Sequence, residues 1–115
     1  MTISKVAEVL QGSVVAGDAS SDRAVGAVVA SDLMSDVLLV DADEMLLLSS
    51  LASDQVLRTA HVVGAMGVVI HDSKPLPASM LAVSAQLNIP LVSSPLSKYE
   101  SCVKMHEALE AEKNG

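Results

Sequence analysis

At 115 residues the chain can bury a real core as one domain without a structural metal, and its lone cysteine, Cys102, excludes an internal disulfide. Half of its residues are hydrophobic, yet Tyr99 is the only aromatic, so the core must be aliphatic and no stacking platform for single-stranded nucleic acid exists. Seven basic residues against 14 acidic ones leave a net charge of −7, with the basic ones scattered singly, a field that repels a phosphate backbone and argues against nucleic acid as a partner.

In chain order, Ile3 to Leu10 reads as a short amphipathic helix with Val6, Val9 and Leu10 on one side, ended by Gly12. Ser13 to Gly17 is a brief strand, followed by the polar turn Asp18 to Asp22. A strand–helix rhythm then begins. Val25 to Ala30 is a β-rich run, Asp32 to Val40 a short helix, and Met45 to Leu48 a second apolar run. Ser53 to Val63 is helical, with Gly64 suited to the left-handed position that follows a helix. Gly67 to Ile70 is a third run. Pro77 to Leu87 is helical, with Pro77 at the first helical position, where no N–H is needed. Ile89 to Val92 is a fourth run, and Ser97 to Glu100 forms a capping box that opens the last helix.

These strand candidates are continuous apolar runs, the signature of strands covered on both faces. Such runs separated by helices predict a three-layer α/β/α fold: a single domain over residues 1–115, with a mostly parallel sheet and crossover helices. No signal peptide is expected, because Met1 to Lys5 is not followed by a long apolar stretch. No run approaches the roughly 18 residues of a membrane span. The expectation is a cytoplasmic protein with no membrane partner.

In a parallel sheet, the residues after the strands collect along one edge. That edge gathers Ser31 and Asp32 after the first run, Ser49, Ser50 and Ser53 after the second, Asp72 after the third, and Ser93 and Ser94 after the fourth. Open α/β sheets bind ligands at this edge, near helix N-termini that favour anions. The same residue types are also the preferred helix caps, which every crossover helix needs. These eight residues are therefore the candidate ligand-binding rim for a nucleotide or phosphorylated metabolite, with capping as the competing role.

His61, His71 and His106 match no metal-ligand spacing, and packed or interface roles are expected for them. Cys102 lies mid-helix on an apolar side, as a structural thiol does. In the last helix Tyr99, Cys102, Val103, His106 and Leu109 form an apolar stripe, widened by Met105 and Ala108, with Ser101 assigned to solvent. The excess apolar width predicts a homodimer or larger homo-oligomer. Phosphate-binding glycine loops, dinucleotide fingerprints and the nucleophile elbow of hydrolases are all absent. Neither an enzyme, a metal nor a cofactor is expected.

The stretch Ser21-Asp22-Arg23-Ala24-Val25-Gly26, running on into Ala30-Ser31-Asp32-Leu33-Met34-Ser35-Asp36-Val37, resembles the opening of stand-alone DRTGG-domain proteins. Ile89-Pro90-Leu91-Val92-Ser93-Ser94-Pro95-Leu96-Ser97 resembles a segment of the same proteins and of the HPr kinase N-terminal domain. The resemblance implies a three-layer regulatory domain without the kinase part. It also implies a link to iron hydrogenase or energy metabolism in an anaerobe, since stand-alone members are often encoded near iron hydrogenase genes. Two departures stand out. The signature survives only as Asp22-Arg23-Ala24-Val25-Gly26, and the family's histidine after the second strand is missing from Ser49 to Gln55. The function expected is a non-catalytic regulatory or protein-interaction domain. The alternatives are a small-ligand sensor using the rim and an enzyme with a site between subunits.

Overall fold

Leu46, Leu47 and Leu48 are consecutive and fully buried, which a strand achieves only when both faces of its sheet are covered. The computed structural model, which describes all residues from Met1 to Gly115, provides that cover. Its elements are α1 (Ile3–Val9), β1 (Ser13–Ala16), β2 (Ala27–Ala30), α2 (Met34–Val37), β3 (Met45–Ser49), α3 (Asp54–Val63), β4 (Gly67–Ile70), α4 (Ala78–Leu87), β5 (Leu91–Ser93) and α5 (Lys98–Asn114). The five strands form one sheet in the order β1-β5-β4-β3-β2. Strands β2 to β5 run parallel, and β1 pairs antiparallel with β5. This is the expected mostly parallel three-layer α/β/α architecture.

Side-chain alternation divides the interior into two cores. Met45, Leu47, Val68, Ile70 and Leu91 face α2, α3 and α4. Leu46, Leu48, Val69 and Val92 face α1 and α5. Strands in sequential order, each joined to the next by one helix, place α2, α3 and α4 on the same face because crossovers share one hand. The helices α1 and α5, outside that series, cover the other face. Each fully buried Leu or Val contributes about 1.5–3 kcal/mol, so the doubly covered strands dominate stability.

Several local expectations are corrected. Strand β2 starts at Ala27, because Val25 donates instead to the Met1 carbonyl at 2.8 Å. Helix α2 is a single turn, Met34–Val37, not Asp32 to Val40. Pro77 is the N-cap of α4, with φ −61° and ψ 147°, so the helix starts one residue later than predicted. Strand β5 runs Leu91–Ser93, not Ile89 to Val92: Pro90 has no N–H for a ladder. The left-handed residue that ends α1 is Gln11, at φ 55°, not Gly12. Gly12 is needed for another reason: a Cβ there would lie 2.1 Å from the Ser93 carbonyl oxygen.

The last helix is also turned relative to its expected stripe. Ser101 and Met105, one turn apart, are the fully buried pair, so Ser101 does not face solvent. Tyr99 is 77% exposed, while Cys102 and Leu109 are half-buried at the flank of the contact with the sheet. No helix is long and apolar enough to cross a membrane.

Candidate functional site

The predicted rim is best judged by what each side chain bonds to. Asp32 lies two residues beyond β2, where the chain must turn away from the sheet. Its Oδ1 accepts from the Ser50 amide at 2.7 Å and from Ser49 Oγ at 2.9 Å, and its Oδ2 accepts from Ser50 Oγ at 2.5 Å. The Asp32 carboxylate thus clasps the end of β3 to the end of β2. The Ser50 hydroxyl is the largest influence holding its pKa down, to about 2, with smaller help from the Ser50 amide, the Ser49 hydroxyl and the nearby His71 charge. Desolvation opposes them but is outweighed.

The other rim residues diverge. Ser49 Oγ also accepts from the Leu51 amide at 3.1 Å, which shapes the start of the next loop. Ser31 Oγ accepts from the Leu33 amide at 3.0 Å, a local turn before α2. Ser53 caps α3 by accepting from the Gln55 amide at 3.1 Å. Ser94 is buried and leaves the rim altogether: its hydroxyl donates to the Leu10 carbonyl at 2.7 Å and accepts from the Leu96 amide at 3.2 Å, tying α1 to the entry of α5. Ser93, half-buried, ends β5 between Ser13 and Ile70. The structure therefore brings Asp32, Ser49 and Ser50 together and uses Ser31, Ser53 and Ser94 for turns, caps and packing.

Asp72 has a partner that the sequence did not assign to it. His71 follows β4 directly and continues the ladder, its amide donating to the Ser49 carbonyl at 3.1 Å. Its ring is buried, its Nδ1 lies 2.5 Å from Asp72 Oδ2, and its Nε2 is buried without a hydrogen-bond partner. Asp72 and Ser73 are both left-handed, at φ 67° and 52°. Their amides bond to the Leu96 and Ser94 carbonyls at 2.8 and 3.0 Å, so this turn is pinned to the approach of α5. The signal available in the sequence was position: one residue past a buried strand, a side chain still obeys the strand's alternation.

None of the eight rim residues lines a cavity. The concave surface lies instead on the α5 side of β2. A groove of about 270 Å³ is lined by Val28, Ala30, Cys102, Met105, His106 and Leu109. It shares His106 and Leu109 with a wider depression of about 430 Å³ that reaches Met1 and Val25. The two form one trough along the open edge of the sheet. No group of three or more His, Cys, Asp or Glu side chains is placed to hold a metal ion. No family model matches the chain, and no curated protein is significantly similar to it.

Proposed function

We propose that this chain is a non-catalytic regulatory or protein-interaction domain that acts through the β2 side of the molecule. The carrying observation is the contrast between its two candidate surfaces. At the rim, Asp32 and the serines direct their hydrogen bonds into the chain. Along β2, a mostly apolar groove runs beside α5, and the α2 turn leaves Leu33, Leu38 and Leu39 more than half exposed. Apolar side chains of that size, exposed on the connection that follows an open strand, suit a macromolecular partner. The DRTGG resemblance is part of this reading, supported by the architecture it implies. Cytoplasmic residence and the link to hydrogenase or energy metabolism rest on the sequence alone.

The test is capture of a stoichiometric partner on immobilised chain, repeated with Leu39→Glu. Leu39 is 83% exposed, so the substitution leaves the core untouched. Retention of a partner by the unsubstituted chain and its loss with Leu39→Glu is the expected result. Equal retention by both would reject this face.

A second reading, a small-ligand sensor at the rim, has one observation in its favour: the unpartnered His71 Nε2, with Asp72 on the other ring nitrogen. Thermal-shift screening against nucleotides, acyl phosphates and small acids separates the two readings. A shift of several degrees that His71→Leu abolishes would favour the sensor.

A further inference from the structure

The two edges of the sheet are built differently. Strand β1 is broken by a bulge between Val14 and Ala16 and leads into the left-handed Gly17, both of which spoil an edge for further pairing. Strand β2 has neither device. Its sequence is Ala-Val-Val-Ala, without charge, proline or bulge, and all four residues pair in regular register with β3. The amides of Ala27 and Ser31 reach the Glu44 and Leu48 carbonyls of the β3 side. By alternation, Val28 and Ala30 turn their N–H and C=O groups to the open edge.

We infer that a second copy of this chain covers that edge, β2 pairing antiparallel with β2 across a twofold axis at Val29. The inference rests on the proposed interaction role of this face and names its occupant. Antiparallel pairing in this register makes Val28 and Ala30 of one copy exchange backbone hydrogen bonds with Ala30 and Val28 of the other. Val29 then faces Val29 in a non-hydrogen-bonded pair. Area selects the occupant. A stable interface takes about 800 Å² from each partner, a substantial share of the 5702 Å² this chain exposes. A four-residue strand, about 13 Å long, cannot supply that area, so the partner must also cover apolar surface on both sheet faces. A single extended peptide would fill the edge and leave the groove at Cys102, His106 and Leu109 uncovered. A second copy brings the same uncharged edge with the same α5 groove beside it, as a self-complementary twofold contact requires. The surplus apolar surface behind the expected self-association thus centres on β2 and takes in Cys102, His106 and Leu109 of the expected α5 stripe.

The experiment uses the full chain. Light scattering with size-exclusion chromatography should give twice the 11.9 kDa chain mass at micromolar concentration. In a Cys102→Ser background, Val29→Cys should form a covalent dimer on mild oxidation, since the self-facing pair brings the two Cβ atoms close. Val28→Cys, which faces Ala30, should cross-link far less. Val28→Pro removes an N–H that the chain itself does not use and should return the mass to that of one chain with the circular dichroism unchanged. If Val28→Pro fails to fold, the cross-linking pair decides alone. A monomer across the micromolar range, or a dimer in which Val29→Cys cross-links no better than Val28→Cys, would overturn the inference. A monomer that captures a different protein through the same edge overturns this occupant and leaves the interaction role standing. A cross-linked β2 dimer that binds no partner but melts higher with a small ligand does the reverse.

Discussion

Asp32 is an exposed carboxylate with a structural task. Its bonds to Ser49 and Ser50 exist only in the folded chain, and they hold its pKa at about 2 against an ordinary value of 3.8. A depressed carboxylate contributes stability that is fully present above the unfolded value and is lost as pH falls through the folded one. The window is therefore about pH 4 down to pH 2. Because solvent screens the site, the contribution is about 1 kcal/mol, less than the bare shift suggests. Asp32→Asn should lower stability by that amount at pH 7, and the difference from the unsubstituted chain should vanish by about pH 2. Urea denaturation along a pH series reads this directly. A difference that stays constant from pH 7 to pH 2 would mean that the ionised form of Asp32 has no special role in the clasp.

At the scale of elements, the joints matter more than the strands and helices they connect. Gly12 and Gly64 both lie just beyond a helix, yet each is needed for a different physical reason. Gly12 lies against the backbone of Ser93, where a Cβ has no room, whereas Gly64 is left-handed at φ 70° with open space around it. Gly12→Ala should cost about 1–3 kcal/mol through overpacking between α1 and β5. Gly64→Ala should cost about 1 kcal/mol through backbone strain alone. Thermal melts should therefore rank Gly12→Ala below Gly64→Ala, and the reverse order would contradict the close approach of α1 to β5. The same distinction explains what could be read in advance. The strands from Met45 and Gly67, the helices from Ser53 and Ser97 and the mostly parallel sheet were legible, because burial on both faces and capping leave marks within a few residues. The role of Gly12, the antiparallel placement of β1 and the rotation of α5 onto Ser101 and Met105 depend on contacts between distant segments. The rim was half legible. Alternation of strands and loops located Asp32, Ser49 and Ser50 on one edge, but nothing local showed that Asp32 would be bonded to both serines. Ser94 was drawn off the rim by the Leu10 carbonyl, 84 residues away in sequence.

For the whole molecule, charge and apolar surface act against each other. Each copy carries −7 at neutral pH, so two copies repel at long range. Strand β2, the proposed seam, in contrast carries no charged side chain to add attraction. Salt should then strengthen association. Raising ionic strength from about 0.01 M to about 0.5 M shortens the screening length from about 30 Å to under 5 Å. Repulsion between copies should fade, while backbone hydrogen bonds and apolar contacts across the proposed seam should be little affected. Sedimentation velocity in that salt series should show the dimer dissociation constant falling several-fold. Melting temperature should also rise with protein concentration, since only folded copies pair. An interface held by ion pairs would behave oppositely, weakening as salt rises. Such weakening would place the contact on the charged faces of the helices and not on β2.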